Sequence, residues 1–152
     1  MSLTEDQPQT AARRDWMSVL ARAVPDRLAA LMPDLPAHLV LRAPEIGAVM
    51  VQGRIGGTGA AFNLGEMTVT RCSIRLQACG TVGHACVQGR DKGHALRAAL
   101  ADALMQTDAG SAMTDSVLAP LRAEAAATRN ARAEKAAATR VEFFTMVRGE
   151  DK

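Results

Sequence analysis

Aromatic side chains are scarce in this 152-residue chain, which has three phenylalanines, one tryptophan and no tyrosine. Large rings bury more apolar area than other side chains, so the core has to be built mainly from Leu, Val, Met and Ala. Small core residues leave flat helical surfaces, and such surfaces suit packing against another subunit. The net charge is only +2. A nucleic-acid-binding protein would be more basic, so we expect no nucleic-acid partner.

Long hydrophobic runs are also missing, since no stretch approaches the roughly 20 apolar residues that a membrane span needs. The polar start, MSLTEDQPQT, does not have the pattern of a signal peptide. Three cysteines form an odd set in a composition that does not suggest a disulfide scaffold. We therefore expect reduced thiols, a cytoplasmic location and no membrane contact.

Apolar spacing predicts helix near the start of the chain. Residues 1–9 are polar, and we expect them to be disordered. From Thr10 onward, apolar side chains recur at every third or fourth position, which is typical of an amphipathic helix. Pro25 should break or kink this helix, and Pro33 and Pro36 should end it.

The middle of the chain changes to Val, Ile, Thr and Gly with alternating apolar and polar positions. This pattern predicts antiparallel strands. The strands are expected at 47–55, 62–76 and 80–88, with a further short strand at 39–43.

The last third returns to helical spacing. Asp91 is a plausible N-cap for a helix with Leu96, Leu100 and Leu104 on one stripe. Residues 111–114 should interrupt the helical pattern, and an Ala- and Arg-rich helix should then run to about Ala138. The segment 139–148, TRVEFFTMVR, has a strand pattern again.

These elements predict an α+β fold: an antiparallel sheet of about four strands, flanked by an N-terminal helix and C-terminal helices. Residues 10–152 should form a single domain, whose last helix and strand can face a partner.

Basic side chains gather on one side of the predicted sheet. Arg71 and Arg75 share a face because alternate strand residues point the same way. If the polar faces of neighbouring strands coincide, that side carries Gln52, Arg54, Arg71, Arg75, His84 and Arg90. Guanidinium groups without matching carboxylates suit phosphate recognition. The alternatives are a solvated sheet face, which is the default, and an interface with an acidic partner.

Two glycine-containing loops could also meet anions. The segment 53–62 lacks the Lys of a phosphate-binding loop and the third Gly of a dinucleotide fingerprint, so a hairpin loop is the better interpretation. Its consecutive amides could still form an anion nest. At 89–94, Arg90, Lys92 and His94 surround a predicted helix N-terminus, which attracts anions. A simple capped turn explains that segment about as well.

Metal or acid–base chemistry has weaker support. Cys72, Cys79, Cys86, His84 and His94 show no paired-ligand spacing, so we expect no metal site and cysteines that are buried as small apolar residues. A lone histidine is more often structural than catalytic. No catalytic residue is therefore predicted.

Four strings resemble one family closely. They are RRDWMSVLARA, LRAPEIGAVMVQGRIGGTGAAFNLGEMTVTRCSIRL, GTVGHACVQGRDKGHA and AAATRVEFFTMVRGED. Together they resemble the PhnG family, the small G subunit of the carbon–phosphorus lyase core complex in bacterial phosphonate metabolism. The resemblance extends from about Arg13 to Asp151.

The resemblance implies a chain that assembles with H, I and J subunits. With H, I and the ATPase-like L subunit, it would take part in displacing adenine from ATP by an alkylphosphonate. The product would be a ribose 1-alkylphosphonate 5-triphosphate. The iron–sulfur cluster of the pathway would belong to the J subunit, so we expect no cofactor in this chain and no turnover by this chain alone.

Because both substrates are phosphorus oxyanions, the resemblance strengthens the basic residues as substrate contacts. The candidate anion-binding set is Arg54, Arg71, Arg75, His84, Arg90, Lys92 and His94. Two alternatives remain open. One is a structural subunit that supports chiefly the I subunit, and the other is a free-standing module that binds phosphonates or nucleotides.

Overall fold

A computed structural model describes the chain from residue 8 to residue 139. The helices are α1 (Pro8–Arg22), α2 (Pro25–Leu31), α3 (Lys92–Met105), α4 (Gly110–Met113) and α5 (Ala119–Ala138). The strands are β1 (His38–Arg54), β2 (Ala61–Leu76) and β3 (Val82–Gln88). They form one antiparallel sheet in the order β1-β2-β3. The predicted α+β fold is confirmed.

The two N-terminal helices meet where the prolines predict. α1 begins at Pro8, so Pro8 and Gln9 are helical rather than disordered. Pro25 occupies the first turn of α2, where its missing N–H would have no helical partner in any case. The helical region ends at Leu31, before Pro33, as predicted.

The sheet has three described strands because the segments predicted at 39–43 and 47–55 belong to the same strand, β1. Two register shifts lie between Val40 and Glu45, a stretch that includes Pro44. A proline cannot donate to a ladder, and such irregularities let an edge strand accommodate it. Of the strand predicted at 139–148, all but Thr139 lies outside the described residues.

The core lies between one face of the sheet and the helices. Its largest fully buried side chains are aliphatic, and they include Leu20, Leu28, Ile74, Leu100 and Leu118. Alanines cover the sheet-facing side of α3, which allows close packing. Gly83 of β3 is required there, because a Cβ at this position would lie 2.0 Å from the carbonyl oxygen of Ala99.

The helices after β3 are partly as predicted. The Asp91 side chain caps α3 by accepting a hydrogen bond from the His94 amide at 2.8 Å. The interruption predicted at 111–114 is wrong, because α4 continues through a π-helical turn, Thr114–Leu118, into α5. α5 ends at Ala138, as predicted. Across residues 8–139, no helix has the length and apolarity needed to cross a membrane.

Candidate functional site

The candidate site is the face of the sheet that points away from the helices. Cys72 and Ile74 of β2 are buried against the helices, so Arg71 and Arg75, at odd positions of the same strand, face outward. Ser73 lies between the two arginines. Across the sheet it pairs with His84 of β3 on one side and with Arg42 of β1 on the other. Register partners share a face.

This set of outward residues, Arg42, Arg71, Arg75 and His84, is named the basic face. The Cα atoms of Arg71 and Arg75 are about 13 Å apart, because they lie four positions apart along one strand. His84 stands between them, and its Nδ1 lies 2.9 Å from Ser73 Oγ. The predicted grouping of Arg71, Arg75 and His84 on one face is confirmed.

Carboxylates do not neutralise the whole basic face. Glu45 is the register partner of Arg71, but its Oε2 lies 3.4 Å from Nε of Arg42 instead. In the described part of the chain, Arg71 and Arg75 form no ion pair. Two exposed guanidinium groups are therefore available to an anion, whether it is a phosphate of a ligand or a carboxylate of a partner protein.

Arg54 does not join this face. Its register partner, Ala61, lies ten positions before Arg71 along β2. At the rise of a strand, this separation is about 33 Å. The Arg54 side chain donates from Nη1 to the Gly59 carbonyl oxygen at 3.0 Å. It therefore belongs to the turn of the β1–β2 hairpin.

Gln52 and Arg54 also point to the other side of the sheet. Val51 pairs with Gly65, and so it lies on the face of Arg71. Gln52 follows Val51 directly in β1, so its side chain points to the opposite face. The register shift at this point does not change that direction, because its extra residue lies in β2 and not in β1. The expectation that all polar faces coincide is wrong for these two residues.

The hairpin loop itself forms as predicted. Gly56 and Gly57 have φ values of 62° and 78°, which L-amino acids with side chains rarely adopt. They reverse the chain between β1 and β2.

The junction at 89–94 separates its three predicted anion contacts. Gly89, with φ at 93°, turns the chain out of β3, so strand alternation no longer applies to Arg90. Arg90 and Lys92 are exposed. His94 is buried in the core, where its Nε2 lies 2.8 Å from the Leu20 carbonyl oxygen and must carry the proton. His94 therefore cannot meet a ligand from solvent.

The cysteines differ in environment. Cys72 is buried as predicted, and burial raises the pKa of its thiol. Cys79 and Cys86 are exposed, so the expectation that they are buried is wrong. Hydrogen bonds with the side chain and backbone of Thr81 lower the pKa of the Cys79 thiol. Between residues 8 and 139, no three His, Cys, Asp or Glu side chains gather in a way that could hold a metal ion.

Two features were missed from the sequence. Arg42 belongs to a strand that was expected only as a short extra element, and its neighbours are set by register across the sheet. Asp102 is a fully buried carboxylate that accepts from Arg13 Nε and Nη2, at 3.1 and 2.7 Å, and from Trp16 Nε1 at 2.9 Å. It also accepts from the backbone amide of His84 at 2.9 Å. A lone acidic residue within the apolar stretch ALADALM was the available signal.

Comparisons with known proteins agree with the resemblance in the sequence. Residues 11–149 match the family model described as phosphonate metabolism protein PhnG. The chain is 46% identical over 151 residues to a protein of Rhizobium meliloti (strain 1021) named alpha-D-ribose 1-methylphosphonate 5-triphosphate synthase subunit PhnG. The match covers 97% of this chain and 96% of the relative.

Proposed function

Because the chain belongs to the PhnG family of phosphonate metabolism proteins, we propose that it is a non-autonomous subunit of a ribose 1-methylphosphonate 5-triphosphate synthase. In this role it takes part in the exchange of adenine for an alkylphosphonate on ATP, within a cytoplasmic complex. The proposal is supported by a relative that is named as a subunit of this synthase and is 46% identical over nearly the full length of the chain.

An exposed apolar hairpin supports the dependence on partners. β3 pairs with β2 only from Val69 to Arg75, so residues 48–68 form a two-stranded arm. Two-stranded hairpins are marginal in water, and clustered exposed apolar side chains mark interaction sites. The large apolar residues exposed on the arm are Met50, Ile55, Phe62 and Leu64. We assign this arm to contacts with the H, I and J subunits, chiefly I, and expect the L subunit to join during the reaction.

The basic face supports a direct part in substrate binding. Both substrates of the proposed exchange carry phosphorus oxyanions, and arginine offers paired donors that stay charged at all working pH values. The observation that carries this proposal is that Arg71 and Arg75 are exposed on one face and lack an ion-pair partner among the described residues. In a composite site, Arg71 and Arg75 would hold the oxyanions while a neighbouring subunit supplies the reacting groups.

Replacing either arginine tests this role. In the reconstituted complex, Arg71→Gln and Arg75→Gln should each remove charge-assisted hydrogen bonds worth roughly 1.5–3 kcal/mol. Substrate use, measured as kcat/KM for ATP and methylphosphonate, should fall about ten-fold or more. Arg22→Gln at the exposed end of α1, where the side chain donates to Ser18 of the same helix, removes the same charge and should leave kcat/KM unchanged.

Size-exclusion chromatography of the same complexes separates the two roles. An intact complex with normal kcat/KM would refute substrate binding by the basic face. Loss of this chain from the complex would instead identify the face as an interface with an acidic partner surface. The second candidate function, a structural subunit that supports chiefly the I subunit, would then hold. It is favoured by the apolar arm, which has no use in a free-standing phosphonate- or nucleotide-binding module.

A further inference from the structure

Arg42 reaches the basic face only because β1 is irregular. Val40 pairs with Ile74, whose side chain is buried against the helices. In a regular strand, Arg42 would share the side of Val40, which lies two positions before it. The structure instead pairs Arg42 with Ser73, so β1 advances by two residues while β2 advances by one. The extra residue in β1 turns the Arg42 side chain to the outward face.

A second extra residue follows in the same stretch of β1. From Arg42 to Glu45 this strand advances by three residues, whereas β2 advances by two, from Ser73 to Arg71. Glu45 therefore also faces outward, directly opposite Arg71, and regular pairing resumes with Ile46. β-bulges are over-represented beside functional sites, where they redirect side chains. Here they bring one arginine and one glutamate to the β1 side of the basic face.

Glu45 lies between two guanidinium groups, and it contacts one of them. Opposite charges that face each other across two antiparallel strands normally attract. The Glu45 carboxylate nevertheless has its Oε2 at 3.4 Å from Nε of Arg42, which lies three positions before it in β1. Among the described residues, no ion pair joins Glu45 to Arg71. Arg42 therefore competes with Arg71 for this carboxylate.

The pair of Arg42 and Glu45 is too exposed to be permanent. Their side chains are 57% and 66% exposed. Ion pairs between exposed side chains are weak, because water and salt screen the charges and the side chains lose freedom. Removing one arginine is therefore enough to move the Glu45 carboxylate to the other. A carboxylate on Arg71 would occupy the donors that the proposed function assigns to a phosphorus oxyanion.

We propose, resting on the proposed function of the basic face, that Arg42 is a positioning residue that keeps the Glu45 carboxylate from competing with the substrate for Arg71. Arg42 holds the carboxylate at the β1 side of the face and does not contact the substrate. Without Arg42, Glu45 turns to Arg71 and competes with the anion. Affinity then falls although Arg71 and Arg75 are both intact.

A double-mutant cycle in the reconstituted complex tests this role. Arg42→Gln should lower kcat/KM for ATP and methylphosphonate by about two- to five-fold, which is the effect of one exposed ion pair. The loss should lie in KM, with kcat unchanged, because only binding is affected. Glu45→Gln should raise kcat/KM. In the Glu45→Gln background, adding Arg42→Gln should have no further effect, since the competing carboxylate is already gone.

Two outcomes of the cycle would overturn the proposal. If Arg42→Gln lowered kcat/KM equally in both backgrounds, Arg42 would act on the substrate without Glu45. If Arg42→Gln had no effect while Arg71→Gln lowered kcat/KM, the Glu45 carboxylate would not compete at Arg71. Asp108→Asn is the matched control, because it removes an exposed negative charge between α3 and α4, and it should leave kcat/KM unchanged.

The Nε–H resonance of Arg71 in the labelled full-length chain gives a measurement that needs no substrate. Arg42→Gln should shift this resonance, whereas the double variant and Glu45→Gln should give the same resonance. An Arg71 resonance that is unchanged by Arg42→Gln would overturn the positioning role. If Arg71→Gln left kcat/KM unchanged, the proposed function of the basic face would fail, and competition for substrate with it. The resonance would still show whether Arg42 holds Glu45, so the two failures are distinguishable.

Discussion

Asp102 joins three elements of the fold through one carboxylate. Asp102 lies in α3. Its carboxylate accepts hydrogen bonds from the Arg13 and Trp16 side chains of α1 and from the backbone amide of His84 in β3. A buried charge is costly unless it is paired and its remaining acceptor sites are filled, and here both conditions are met. Asp102 also binds the backbone of His84, so it helps to place one residue of the basic face.

Removing this carboxylate should destabilise the protein strongly. Breaking a buried ion pair typically costs 3–5 kcal/mol, and because the Arg13 side chain is 34% exposed we expect about 3 kcal/mol for Asp102→Ala. Urea unfolding measures this change. Asp108→Ala, at an exposed position, is the control and should change the free energy of unfolding by less than about 0.5 kcal/mol. Equal losses for the two variants would contradict a role for the buried pair.

Cys79 should be the most reactive thiol among the three. The thiolate is the reactive form, and hydrogen bonding with Thr81 lowers the pKa of Cys79, whereas burial raises the pKa of Cys72. Near neutral pH, iodoacetamide should therefore modify Cys79 first and Cys72 last, as read by peptide mass spectrometry. Thr81→Val should raise the pKa of Cys79 and slow its alkylation near neutral pH, but not at high pH, where the thiol is ionised in both proteins. An unchanged pH profile would exclude the hydrogen bond as the cause.

Strand β3 and helix α3 are packed more closely than side chains normally permit. The close approach depends on Gly83, above which the Ala99 carbonyl oxygen and Ala103 leave no space for a methyl group. This contact brings α3 near enough for Asp102 and Gln106 to reach the edge of β3.

Gly83→Ala should therefore force the helix away from the sheet. We expect a loss of about 3 kcal/mol or more, the upper range for overpacking, measured by chemical denaturation. Gly47→Ala is the matched change in β1, where no atom lies within 4 Å of the added methyl group. It should be neutral or stabilising by up to about 1 kcal/mol, since alanine loses less entropy than glycine in a strand. If the Gly83→Ala and Gly47→Ala proteins had the same free energy of unfolding, α3 would be able to move away from β3 without a loss of stability.

Between residues 8 and 139, the protein consists of a packed body with two extensions. One is the apolar arm at 48–68, and the other is the exposed part of α5. Neither extension buries much surface within the described chain, so their side chains can serve contacts with other chains without affecting the core.

The arm can be tested by an added charge. Leu64 is 67% exposed, so Leu64→Asp should change the free energy of unfolding of the free chain by less than about 0.5 kcal/mol. In the complex, the buried aspartate would lack a partner, and co-purification with the H, I and J subunits should be lost. Val24→Asp is the matched control, because Val24 is 64% exposed but lies between α1 and α2. Normal assembly of the Leu64→Asp chain would remove the arm from the interface.

Much of this protein follows from local chemistry in its sequence. Pro25 separates α1 from α2, Asp91 caps α3, and the glycines at 56 and 57 turn the hairpin. The shared face of Arg71 and Arg75 follows from strand alternation alone. Each of these features depends on residues a few positions apart, so the order of the chain is sufficient to predict them.

Tertiary structure decided which of those residues meet. Arg54 is separated from Arg71 because β1 and β2 are long and their register shifts once along the arm. His94 is buried because α1 places the Leu20 carbonyl oxygen beside it, and Asp102 is paired with Arg13 across 89 positions of the chain. Such contacts arise when helices pack on a sheet at a distance set by the side chains between them. No local pattern in the sequence specifies that distance or that register.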